Sequence, residues 1–159
     1  MGIFLKDMSL KGKTALITGA TKGLGRGAAE AIAEAGGNII AIGRNQSELN
    51  SLGKKIKKLK VKYTSFNCDV NNYNKIKNFI TSLKKLDVLV NNAGTNIPEN
   101  FLNVKKNSLE TLLNVNTKAV FNIAQLCANQ IIKLKKKTGF NYKYFLYFWS
   151  CSWPKKDCL

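Results

Sequence analysis

Between Lys13 and about Ile132, short apolar runs alternate with longer segments whose apolar positions recur at helical spacing. Thr14-Ala-Leu-Ile-Thr18 is an unbroken five-residue run that stops at Gly19, the pattern of a parallel strand covered on both faces. Leu24 to Ala35 is alanine-rich with a helical apolar period, and Gly36-Gly37 ends it. Asn38 to Ile42 reads as a second strand, and Gln46 to about Lys58 as a second helix with Asn45 or Ser47 as its cap. Val61 to Phe66, Asn72 to Lys84, Asp87 to Val90 and Ser108 to about Lys133 continue the series as strand, helix, strand and long helix. Strands and helices alternating at this spacing predict βαβ crossovers and a parallel sheet.

The end of the chain departs from this pattern. Residues 138–159 hold eight of the fifteen aromatics, both tryptophans and two of the four cysteines. Tyr144-Phe-Leu-Tyr-Phe-Trp149 is apolar enough for a strand but has none of the Val/Ile character of the earlier ones. The break near Gly139 divides the chain into an α/β unit, 1–137, and an aberrant aromatic tail, 138–159. Lysine, asparagine and isoleucine, residues that A/T-rich codons favour, are heavily used upstream, so a reading-frame shift near Gly139 accounts for the change.

Charge changes the picture less than its size suggests. Twenty-six basic residues against nine acidic give +17, a balance that normally points to nucleic acid or an anionic surface. Only Arg26 and Arg44 are arginine, however, and arginine is the preferred fork for phosphates and guanine edges. The lysines fall in small clusters such as Lys54, Lys55, Lys57, Lys58, Lys60 and Lys62, on the polar face of a helix and its exit. The expectation is therefore solvated faces and no nucleic-acid partner, with a basic nucleic-acid-binding protein as the lesser reading. There is no histidine, and Cys68, Cys127, Cys151 and Cys158 form no CxxC, which removes the common zinc frameworks, histidine bases and Ser-His-Asp triads. No stretch approaches the ~20 apolar residues of a membrane-spanning helix. The N-terminus reads neither as a signal peptide nor as a myristoylation signal, so the expected setting is cytoplasmic, with no membrane partner and no metal.

The chemistry begins at Thr18-Gly-Ala-Thr-Lys-Gly-Leu-Gly25, between the first strand and the first helix. In this GxxxGxG turn Gly19 permits the tight bend, Gly23 lets the backbone approach a pyrophosphate, and Gly25 lets the helix pack close. The helix N-terminus then offers unbonded N–H groups and partial positive charge to the anion. The second strand ends Ala41-Ile-Gly-Arg44 with no carboxylate to accept from a ribose 2′-hydroxyl; the nearest, Glu48, lies in the next helix. Arg44 instead suits a 2′-phosphate, which favours NADP over NAD.

Three further elements follow in order: Asp69-Val70 after the third strand, Asn91-Asn-Ala-Gly94 after the fourth, and Asn116 within Asn-Val-Asn on the long helix. Together with the glycine turn they resemble the short-chain dehydrogenase/reductase family over about residues 9 to 133. The opening and the run LVNNAGTN look closest to its 3-oxoacyl-carrier-protein reductase and sugar-acid or polyol dehydrogenase branches. The resemblance implies a Rossmann-like doubly wound parallel sheet, incomplete here, with strand order 3-2-1-4 and a ragged fifth left open. It also implies NADP-dependent hydride transfer on a small-molecule carbonyl or alcohol, and homo-oligomers. Gly19, Lys22, Gly23, Leu24 and Gly25 would border the cofactor phosphates and adenosine ribose, with Lys22 a second basic contact to the 2′-phosphate. Asp69 would bond the adenine amino group beside Val70, and Asn92, Ala93 and Gly94 would run along the nicotinamide-side ribose. Asn116 would be the active-site asparagine that kinks its helix and holds a water in the proton relay.

The family's chemistry also requires a serine, then a tyrosine with a lysine four residues on, the lysine lowering the tyrosine pKa by its charge. Ser150 or Ser152 mimics the serine, but no tyrosine follows either. The sole YxxxK, Tyr73…Lys77, precedes the NNAG run and reads as two exposed helix residues. The expectation is a truncated oxidoreductase, inactive as this chain, with a non-catalytic nucleotide-binding fragment as the alternative.

Overall fold

The computed structural model describes residues 9–136. Strands β1 (Thr14–Thr18), β2 (Asn38–Gly43), β3 (Tyr63–Asn67) and β4 (Val88–Val90) form one parallel sheet in the order β3-β2-β1-β4. Between them run α1 (Gly23–Glu34), α2 (Gln46–Lys57) and α3 (Tyr73–Ser82). After β4 come a 3-10 turn at Phe101–Asn103, α4 (Lys106–Leu113), a π-helical turn over Asn114–Ala119 and α5 (Val120–Lys136). The α/β class is the one the alternation predicts, and the 3-2-1-4 order the one the family resemblance implies. The expected fifth strand and the 138–159 tail lie outside the described residues.

Period-two alternation along β1 and β2 sends neighbouring side chains to opposite faces of the sheet. Ala15, Ile17, Ile39 and Ala41 pack under α1 and α2 against Ala29, Ala33, Leu49, Leu52 and Ile56. Leu16, Ile40, Ile42 and Leu89 pack on the other face against Ile76 and Ile80 of α3 and Ile123, Leu126, Cys127 and Ile131 of α5. Both faces of β1 are thus covered, which is why TALIT carries no polar alternation and is buried throughout. Burying each large aliphatic side chain contributes roughly 1.5–3 kcal/mol.

Element ends differ from the sequence reading where side chains replace ladder bonds. β3 starts at Tyr63 rather than Val61, because the Lys62 N–H donates to the Asn38 side chain. β4 starts at Val88 rather than Asp87, whose carboxylate accepts from the Thr14 N–H at 2.9 Å. Asn45, not Ser47, caps α2, its side chain accepting from the N–H groups of Ser47 and Glu48. The single long helix from Ser108 is instead α4, a π-helical turn and α5. The interruption falls on Asn114–Ala119, a stretch with the weak helix formers Asn114, Asn116 and Thr117, where the Asn116 side chain is drawn to the Thr95 backbone.

Candidate functional site

The ends of β1, β2, β3 and β4 deliver four loops to one edge of the sheet. Gly19 leaves β1 at φ +64°, where a Cβ would lie 2.9 Å from the Ala93 Cα. Gly23 opens α1 at φ +54° with nothing within 4 Å of its would-be Cβ. Both positions therefore need glycine, Gly19 for inward crowding and Gly23 for a left-handed turn whose outer side stays open. Gly25 is buried, and a Cβ on it would collide with the Asn92 side chain and the Gly19 carbonyl oxygen. Lys22 supplies no side-chain cap to α1, and no acid stands in its first turn. The polarised N–H groups there are left for an anion from outside. Lys22 and Leu24 are exposed beside them.

Thr18, buried at the end of β1, ties this turn to the β4 loop. Its hydroxyl oxygen accepts from the N–H groups of Asn92 and Ala93, both at 3.0 Å, and donates to Asn91 Oδ1 at 3.3 Å. Asn91 Nδ2 in turn donates to the Val120 carbonyl at 2.8 Å. The Asn92 side chain turns inward, its Nδ2 donating to the carbonyls of Thr18 and Gly19 at 3.1 and 3.2 Å. Asn116 holds the next stretch of the same loop. Its Oδ1 accepts from the Thr95 N–H at 2.9 Å and its Nδ2 donates to the Thr95 carbonyl at 2.8 Å. The glycine turn, the NNAG loop and the π-helical turn are thereby one hydrogen-bonded assembly.

Arg44 and Asp69, from the ends of β2 and β3, meet as an ion pair at 3.6 Å with the Arg44 side chain 78% exposed. Asp69 does not cap α3, since Asn72 does; its Oδ1 accepts from the Asn71 N–H and shapes the turn. Val70 packs half-buried against the α3–α5 core. Arg44 is thus both oriented and accessible, and its charge is only partly offset.

The described residues offer little nucleophilic chemistry beside these loops. Cys68 is buried, its thiol donating to the Asp69 carbonyl, and burial, helped by the Asp69 charge, pushes its pKa up. Burial pushes the Cys127 thiol up to about 12, which leaves it an inert core residue. Tyr73 and Lys77 lie exposed on α3, as a helix-surface pair would.

The candidate cofactor residues thus fall on the loops at this edge and in the first turn of α1, with Asn116 on the π-helical turn, while Ser150 and Ser152 lie outside the described residues. Thr18, Asn91 and Thr95 were not singled out, although they carry most of the bonds. The signal was present: a hydroxyl ending a fully apolar strand, and two consecutive asparagines ending another, both demand buried partners. These features fit a dinucleotide, with an uncapped helix start for phosphates, an open left-handed glycine and an exposed arginine.

A family model described as short chain dehydrogenase matches residues 13–140, and the chain belongs to that family. The 2-dehydro-3-deoxy-D-gluconate 5-dehydrogenase of Bacillus subtilis is 35% identical over 136 residues, which cover 84% of this chain and 53% of that protein. Among solved structures, a 7α-hydroxysteroid dehydrogenase complexed with NADH superposes with a TM-score of 0.76 at 28% identity, covering 84% of this chain and 53% of that one. The L-sorbose reductase of Gluconobacter frateurii, complexed with NADPH and L-sorbose, gives 0.73 at 25% identity, covering 79% and 49%. The chain spans about half the length of the curated relatives it matches. Among the described residues no helix is long and apolar enough to cross a membrane.

Proposed function

We propose that this chain is the cofactor-holding half of an NADP(H)-dependent short-chain oxidoreductase acting on a carbonyl or alcohol. The observation that carries the reading is the start of α1, uncapped at Lys22 and opened by a left-handed Gly23 with free space on its outer side. When bound, the nicotinamide cofactor supplies or accepts the hydride. The N–H groups around Gly23, Leu24 and Gly25 would face its phosphates, and the exposed Lys22 and Arg44 would take the 2′-phosphate. Asp69 and Val70 would line the adenine. Because the Asn92 side chain is committed to the β1 turn, its backbone, with Ala93 and Gly94, would follow the nicotinamide-side ribose.

The preference for NADP rests on Arg44 and on the lack of a carboxylate at the end of β2. Among the solved relatives both NADH and NADPH complexes occur, so the NADP reading is argued from residue chemistry alone. Asn116 keeps the loop beside the reacting face in place through Thr95. The general acid is another matter, since the one Tyr-x-x-x-Lys of these 159 residues, Tyr73…Lys77, precedes Asn116, and no tyrosine follows Ser150 or Ser152. These residues without such an acid would forfeit roughly 10²- to 10⁴-fold of rate, so on this reading they would hold cofactor without turning it over. Titration of wild type and Arg44→Asp with NADPH and NADH tests the reading. The expected result is a fall of about tenfold or more in the NADPH/NADH affinity ratio, with no NADPH oxidation when a ketone is added. An unchanged ratio contradicts the assignment of Arg44.

A further inference from the structure

Arg26, the other arginine of the chain, stands one residue after the glycine turn and serves neither the turn nor the core. Its Nε donates to Glu30 Oε1 at 3.2 Å along α1. Its two terminal nitrogens cross to α2, Nη1 to Glu48 Oε2 at 3.4 Å and Nη2 to Ser51 Oγ at 3.3 Å. One turn further along, Lys55 Nζ meets the other Glu30 oxygen at 2.6 Å. The starts of α1 and α2 are thus bridged, and each start follows a loop with a candidate phosphate contact: the glycine turn for α1, Arg44 for α2. Glu48 is the acid nearest Arg44 in sequence, and it sits in the first turn of α2. A carboxylate there that lacked a partner would repel a 2′-phosphate and weaken the field of Arg44.

We propose that Arg26 is a specificity-determining positioning residue, neutralising Glu48 so that the surface beside Arg44 favours adenosine ligands with a 2′-phosphate over those with a 2′-hydroxyl. The proposal rests on the NADP(H) reading above. Arg26 acts through Glu48 and touches no ligand itself. Its contacts lie in a partly shielded setting, with the Arg26 side chain 25% exposed and that of Glu48 47%, so salt screens the effect only in part.

The test measures affinity of the full chain for 2′,5′-ADP and for 5′-AMP, a readout independent of turnover. Wild type is expected to prefer 2′,5′-ADP. Arg26→Gln is expected to lower that preference by about three- to tenfold while 5′-AMP binding holds, and Arg26→Gln with Glu48→Gln is expected to restore it. A loss equal for both ligands, or no recovery in the double variant, overturns the proposal and leaves Arg26 a purely structural link. A wild type without 2′-phosphate preference overturns the NADP(H) reading itself, a separate outcome. Should Arg26→Gln not fold, Ser51→Glu draws the guanidinium off Glu48 with the arginine kept. A lowered preference in that variant supports the proposal, and an unchanged one overturns it.

Discussion

Residues 13–57 and residues 99–121 use similar helical patterns to different ends. In α1 and α2 the residues Ala29, Ala33, Leu49, Leu52 and Ile56 are buried against β1 and β2, and the polar residues between the helices pair with one another. In α4 no residue is buried, and Leu109 and Leu113 are about half exposed. Phe101 and Leu102 before it are 90% and 86% exposed, and Phe121 after it 63%. Apolar spacing alone therefore does not distinguish a core-facing helix from one that presents its apolar side outward. Among the described residues, what separates them is that α1 and α2 have strands opposite and α4 has none. The candidate site straddles the two regions: its phosphate side stands on the first, and in the second Asn91 bonds the start of α5 at Val120 while Asn116 of the π-helical turn bonds Thr95.

The contrast is broken most directly by truncating one leucine in each region. Leu16→Ala in β1 removes a fully buried side chain and is expected to cost about 2–5 kcal/mol. Leu109→Ala in α4 is expected to stay within about 0.5 kcal/mol, both read by denaturant unfolding. Comparable losses would mean that α4 is packed as tightly as β1 and that the two regions do not differ as described.

The link between the regions is tested by Thr18→Val, which keeps the shape of a fully buried residue. It leaves the Asn92 and Ala93 N–H groups and Asn91 Oδ1 without this partner, at a cost of about 2–4 kcal/mol. The binding of 5′-AMP should weaken with it, because the glycine turn loses its anchor. A variant as stable as wild type would show that the hydroxyl is dispensable.

Much of the first region was legible in the sequence, because burial on both faces writes TALIT and NIIAI as continuous apolar runs and the turn needs glycine at fixed places. The positions of Gly19, Gly23 and Gly25 follow from that need, whereas Asp69 and Asn116 came only through the family resemblance. What escaped was the pairing between distant segments. Nothing local tells that Thr18 bonds the loop after β4, that Arg44 meets Asp69, or that Arg26 reaches Glu48, since each depends on how strands are brought side by side. The long helix differs from the sequence pattern because the apolar period continues through Asn114–Ala119, whereas the Asn116 side chain bonds Thr95, outside the helix.

A smaller effect separates the regions by pH. Among the described residues the five ion pairs all lie within 13–87. Glu30, hydrogen-bonded by Lys55 and by Arg26, has its carboxyl held below its ordinary value of 4.5 despite the opposing effect of burial. A carboxylate lowered on folding stabilises the native state fully above its unfolded pKa, and that stabilisation is lost as pH falls through the folded one. Melting temperature should therefore drop as pH is taken below about 4.5, and Glu30→Gln should flatten part of that drop. An identical acid profile in the variant would remove Glu30 from the account.

The central claim is that the loops at the ends of the four strands form one cofactor cradle. Amide-resolved NMR of the full chain titrated with NADPH tests it most directly. Saturable shifts are expected at Gly19–Gly25, Arg44, Asp69–Val70 and Asn92–Gly94, with Thr95 and Asn116 following through their mutual bonds. Phe101 to Leu113 should stay unmoved. Shifts confined to that exposed apolar stretch, or none at the glycine turn at saturating ligand, would contradict the account.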